Sequence, residues 1–131
     1  MDKVVHFELP VNDLERARKF YGSIFAWKLQ DWPMPDGSTY IGVHTTPIDE
    51  KTRLPLEVGG INGGIMKRND KVKAPVFAIN VSSIDEKVTM VLKAGGKVIM
   101  PKVDMMGMGF YAYVEDTEGN TIGLWEDVKK A

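Results

Sequence analysis

Cysteine is absent from all 131 residues, which excludes a disulfide framework, thiolate zinc sites and cysteine nucleophiles together. No run approaches the roughly 20 apolar residues of a membrane helix, so no membrane association is expected. The stretch from Met1 to His6 enters a strand pattern with no apolar signal segment, and a reducing cytoplasm is the expected compartment. Seventeen basic against eighteen acidic residues leave a net charge of -1. No run of Lys and Arg is long enough to follow a phosphate backbone, so nucleic acid is not an expected partner. Also missing are a Ser-His-Asp order, a phosphate-binding glycine loop and a locally spaced pair of carboxylates. The glycines around 60–64 lack a following helix and read as a sheet bend.

What is present is an internal duplication. Laying residues 3–15 over 73–85 pairs Lys3 with Lys73, Phe7 with Phe77, Leu9 with Ile79, Val11 with Val81, Leu14 with Ile84 and Glu15 with Asp85. A chain this long, 44% hydrophobic and 27% charged, is expected to fold as one domain. Its two modules would cover about 1–68 and about 72–128. Two similar halves usually bury a shared face, which is where a ligand site is expected.

In the first copy, Val4 to Val11 alternates as a strand, with Val5, Phe7, Leu9 and Val11 on one face and Val4, His6, Glu8 and Pro10 on the other. Asn12 with Glu15 three positions on has the form of a capping box, and Leu14, Ala17, Tyr21, Ile24 and Phe25 recur at helical spacing. In the second copy Val76 to Val81 is the strand and Ser83, with Glu86, caps a helix whose buried stripe is Ile84, Val88, Val91 and Leu92, ending at Gly95-Gly96. Further strands are expected at about 27–31, 39–44, 61–67, 97–101, 109–114 and 121–126. Residues 31–38, 46–60 and 103–109 read as irregular loops. In the turn of 114–120, Gly119 is the residue expected to need a positive φ.

His6 and Glu8, two apart on a strand, face the same way. Glu8 can orient and charge His6 for acid or base work; equally, the two can simply satisfy each other. A metal set would require them to recruit His44 or Glu126. Met100, Met105, Met106 and Met108 cluster around a glycine-containing connection, either as packing or as an adaptable apolar wall. Trp125 either stacks on a flat ligand or fills space. Trp27, Trp32 and Tyr40 suit a dimer interface or ordinary surface.

The pieces His6-Phe7-Glu8-Leu9-Pro10-Val11-Asn12-Asp13, Phe20-Tyr21, Phe25-Ala26-Trp27, Gly60-Ile61-Asn62-Gly63-Gly64, Ala94-Gly95-Gly96-Lys97-Val98 and the stretch from Glu115 to Trp125 resemble the vicinal-oxygen-chelate superfamily. Within it they are most similar to the glyoxalase and bleomycin-resistance-like group related to lactoylglutathione lyase. The resemblance implies an α+β fold of two βαβββ modules whose mixed sheets curl around a cavity, commonly in a homodimer. It also implies that metal-using members take ligands from places that fall here on His6, Gly64, Val76 and Gly123.

Glycine and valine offer no ligand, so neither metal nor cofactor is expected. The expected function is metal-independent binding of a small, partly apolar organic molecule, lined by His6, Glu8, Met66, Val76, Met106, Met108 and Trp125. Any chemistry would be proton transfer by His6 and Glu8. The alternatives are a metal-dependent lyase or isomerase and a purely structural role.

Overall fold

The computed structural model describes residues 1–129. Its elements are β1 (Lys3–Val11), α1 (Leu14–Phe25), β2 (Lys28–Pro33), β3 (Thr39–His44), β4 (Asn62–Lys67), β5 (Val76–Asn80), α2 (Ile84–Lys93), β6 (Lys97–Asp104), β7 (Gly109–Glu115) and β8 (Thr121–Asp127). This is an α+β fold of two βαβββ repeats. The chain forms two compact units, one of His6–Pro75 and one of Met1–Val5 with the chain from Val76 onward. Among the described residues no helix is long and apolar enough to cross a membrane.

In the unit of His6–Pro75 the strands lie in the order β2-β3-β4-β1, with β1 and β4 parallel and the other neighbours antiparallel. Helix α1 starts on Asp13, not on Asn12 as the spacing suggests. The Asp13 carboxylate accepts the Arg16 N–H at 3.0 Å, and that bond holds its pKa below the usual value. Asn12 instead accepts from Arg68 Nε at 3.1 Å, and Glu15 pairs with Arg18 at 3.2 Å. One residue of offset is decided by a bond that reaches across 56 positions, which local pattern cannot register.

The core of this unit is one sheet face covered by α1. Ile41, Val43 and Ile65 are fully buried, and Phe7, Leu9, Val11, Leu14, Ala17, Tyr21, Trp27 and Leu29 pack on them. The expected stripe of α1 stops early, since Ile24 and Phe25 are 58% and 52% exposed. Tyr21 stacks flat on Trp27 at 5.1 Å, and the half-exposed Phe25 packs on both rings, at 6.1 and 5.5 Å. Strand β2 runs on to Pro33, paired with Thr39, so the irregular segment is the turn after it rather than all of 31–38.

The other unit repeats the plan in the order β5-β8-β7-β6. Ser83 caps α2, accepting the Glu86 N–H at 3.2 Å, as the sequence predicts. A second acceptor was not foreseen: the buried carboxylate of Glu126 takes the Ile84 N–H at 2.7 Å, placing an anion at the positive end of the helix. Val81, Ile84, Ala112, Val114 and Leu124 form the core, with Val88 and Val91 packed on it. Leu92 is exposed, because one residue of helix is a rotation of about 100° away from Val91. Phe77, the partner of Phe7 in the repeat, is also exposed and lies outside this cluster. Gly96 N–H closes the helix on Val91 O at 2.9 Å, and Gly119 has φ 84°. Strand β6 continues to Asp104, shrinking the expected methionine loop to a turn in which Met105 N–H reaches Gly109 O at 2.8 Å.

Candidate functional site

The face of the first unit's sheet turned away from α1 holds the candidate site. Its middle row is set by register: Gln30 lies opposite Gly42, Gly42 opposite Gly64, and Gly64 opposite Glu8. Two glycines in neighbouring strands leave a trough, and aromatic side chains lie in it. A Cβ on Gly64 would fall 1.9 Å from the Tyr40 hydroxyl, and one on Gly42 would fall 2.8 Å from the Trp32 indole nitrogen. The Arg53 guanidinium caps the Trp32 ring at 5.2 Å.

Tyr40 joins the two residues that the sequence singles out. Its hydroxyl lies 3.0 Å from His6 Nε2 and donates to Glu8 Oε2 at 3.2 Å. Glu8 is only 4% exposed. Burial pushes the His6 pKa below 6.5, with the negative charge of Glu8 opposing that shift. His6 is therefore a neutral imidazole at neutral pH, able to act as base or acceptor. Sequence reasoning assigned Tyr40 only to surface or interface. Its place two residues before Gly42 on one strand was the available signal, since that parity puts it on the glycine face.

The metal set implied by the superfamily does not fit. At Gly64 the ligand's volume is taken by the Tyr40 phenol, and at Gly123 a Cβ would fall 2.0 Å from the Tyr111 hydroxyl. Val76 is buried and apolar. Among the described residues no three His, Asp or Glu side chains gather where a metal ion could be held. The rearranged set is not assembled either. Glu126 is engaged with the start of α2 and with Lys102 at 3.7 Å. The His44 pKa is lowered by burial first and then by the Arg53 charge.

The remaining residues expected at a site fall as follows. Met66 is half-buried on β4 opposite Pro10, two after Gly64 and so on the same face. Val76, Met106, Met108 and Trp125 belong to the other unit. There Trp125 covers Gly109, meets Tyr111 edge-on at 6.2 Å and donates its indole N–H to Asp127 at 2.9 Å. Met106 and Met108 are about half exposed, at 48% and 54%, in or beside the β6–β7 turn.

Two repeats of strand, helix and three strands, with a polar group at the Gly64 row of one of them, define a fold of the glyoxalase and bleomycin-resistance type. A model of the bleomycin resistance protein-like N-terminal family matches residues 3–45. The glyoxylase-like domain-containing protein of Didymella fabae is 31% identical over 119 residues, covering 87% of this chain and 85% of that protein. The chain belongs to the glyoxalase and bleomycin-resistance-like family of the vicinal-oxygen-chelate superfamily. The protein named "Putative glyoxylase CFP32" in Mycobacterium tuberculosis (strain CDC 1551 / Oshkosh) is 29% identical over 122 residues, which cover 91% of this chain but 43% of that protein. The chain thus spans less than half of that relative's length. A Streptomyces coelicolor methylmalonyl-CoA epimerase variant, solved in complex with 2-nitronate-propionyl-CoA, shares the fold with a TM-score of 0.68 at 12% identity, over 97% of this chain and 98% of that one.

Proposed function

We propose that this chain binds a small, partly apolar organic molecule without a metal, on the sheet face that carries His6, Tyr40 and Glu8. The observation that carries the reading is the Tyr40 hydroxyl, which fills the Gly64 position and ties His6 to a buried Glu8. A buried, hydrogen-bonded polar cluster beside Trp32 and Met66 combines a few orienting groups with apolar wall, the usual make-up of a ligand site. If turnover follows binding, the economical chemistry is removal of a proton beside a carbonyl by neutral His6, with the electron pair passing to the carbonyl oxygen. On sequence pattern alone we propose Val76, Met106, Met108 and Trp125 as ligand-binding residues of the other unit, and we propose a cytoplasmic homodimer.

The test is metal analysis of the purified chain, native mass spectrometry for a retained ligand, and a methylglyoxal and glutathione assay with and without nickel or zinc. Expected are no stoichiometric metal, no metal-stimulated turnover, and a bound organic mass that His6→Ala or Glu8→Ala releases. Stoichiometric metal with turnover would establish the lyase or isomerase reading instead. Loss of ligand in Trp125→Ala checks the residues of the other unit, and light scattering checks the dimer.

A further inference from the structure

An arginine sits where the backbone of this unit favours glycine. Arg53 has φ 63°, in the left-handed region that costs any residue with a Cβ. The turn that holds it is built on Asp49. Its carboxylate accepts the N–H groups of Lys51 and Thr52 at 2.8 and 2.9 Å, and its carbonyl accepts that of Arg53 at 2.7 Å. Strain held by several bonds clusters at ligand clamps. This turn brings the guanidinium over the Trp32 ring, 5.2 Å from its centroid.

That ring gathers donors and no acceptor, since guanidinium and indole N–H groups only donate. The nitrogen edge of Trp32 lies over Gly42, 2.8 Å from where a Cβ would stand. Among the described residues neither donor makes a hydrogen bond. The guanidinium has the ring and a 3.6 Å ion pair with Glu50, whose side chain is 87% exposed. A pair so exposed contributes little. The charge balance is felt at His44, the next residue after Gly42 on this face. Burial lowers the His44 pKa most, Arg53 and Lys28 lower it further, and Glu50 opposes them. Two cations against one anion leave a single positive charge beside a neutral imidazole. Glu8 is three strand spacings from β2, about 14 Å, which exceeds the screening length at physiological salt.

Resting on the binding reading above, we propose that Arg53 and the Trp32 N–H form a carboxylate subsite at the β2 end of the glycine trough. The ligand is then a small organic monocarboxylate, with its acid group at Trp32 and its apolar body over Tyr40, which lies opposite Trp32 in register. One positive charge matches a monoanion, and a planar guanidinium matches a planar carboxylate. Arg53 thereby determines specificity, favouring an acid over its neutral amide.

Benzoate and benzamide are the matched probes, followed through the indole N–H signals of the full chain labelled with ¹⁵N, with Trp32→Phe assigning Trp32. Benzoate should shift the Trp32 signal and bind about tenfold or more tightly than benzamide, as one charge-assisted hydrogen bond contributes. Arg53→Gln should erase the difference by weakening benzoate alone. Glu50→Gln removes the competing carboxylate and should strengthen benzoate about two- to threefold. The subsite is overturned by benzamide binding as tightly as benzoate or by an unmoved Trp32 signal. Benzoate affinity unchanged in Arg53→Gln, with its amide spectrum folded, overturns it too.

The subsite and the binding reading fail separately. A retained molecule that is neutral, yet released by His6→Ala, overturns the subsite and leaves the binding reading standing. Benzoate held at Trp32, with no ligand lost in His6→Ala or Glu8→Ala, upholds the subsite and overturns the reading of His6 and Glu8.

Discussion

The two units carry the same glycine and tyrosine device with different partners. In one, the Tyr40 hydroxyl occupies the space over Gly64; in the other, the Tyr111 hydroxyl occupies the space over Gly123. The repeat aligns His6 with Val76 and Glu8 with Ala78. Thus Tyr40 meets an imidazole and a carboxylate, while the matching strand positions of the other unit hold two buried apolar residues. Duplication supplied the shape twice, and ionisable chemistry was kept or gained at those positions once.

The largest expected effect comes from forcing the apolar copy to imitate the polar one. Ala78→Glu would place a carboxylate where the side chain is fully buried, and should cost roughly 3–5 kcal/mol, as an uncompensated buried charge does. Urea unfolding measures it; a cost under about 1 kcal/mol would mean that the apolar unit already offers a charge site, and the contrast drawn above would fail.

Next is the shape itself. Gly64→Ala and Gly123→Ala each force a Cβ into a phenol, for about 1–3 kcal/mol of overpacking. At Gly64 the added Cβ also pushes the phenol away from His6 and Glu8, which hold its tip. Adding Tyr40→Ala should recover part of the loss at Gly64, giving a non-additive double-mutant cycle. Strict additivity would show that the two side chains do not compete for one space.

Smaller still is the pH dependence of the polar copy. His6 has a folded pKa below 6.5, so between that lower value and 6.5 the unfolded chain binds more protons than the folded one. Stability therefore falls as the solution is acidified below about 6.5, and it gains nothing further from His6 above that point. His44 acts with the same sign. Denaturation followed from pH 8 down to 5 should show a shallower decline in His6→Gln than in the parent, and shallower again with His44→Gln added. A parent curve flat across this range would contradict the burial of His6.

The smallest effect tests where the units agree. Ser83→Ala, removing the cap of α2, should cost about 1 kcal/mol, and Asp13→Ala should lower stability in the same direction at α1. Asn12→Ala should act through Arg68 rather than through the helix start, which helix-specific amide exchange would resolve.

Much of the fold was readable because strands and helices impose short periods. The repeat, the strand at 39–44, the Ser83 cap and the positive φ at Gly119 all rest on residues within a few positions of one another. The pairing of His6 with Glu8 was readable for the same reason. The pattern fails where distant residues compete for a group: Arg68 takes Asn12, and Glu126 reaches the start of α2.

By itself, the chain's order of residues determined that two similar βαβββ units would form and that Gly64, Val76 and Gly123, where the superfamily resemblance implies ligands, offer none. Only tertiary structure decided what stands in the vacated volume, because a phenol from a neighbouring strand can fill a glycine's space only once register sets Gly42 beside Gly64. Periodicity tells a side chain which way to point. Which atoms it finds there depends on strands that are far away in the chain.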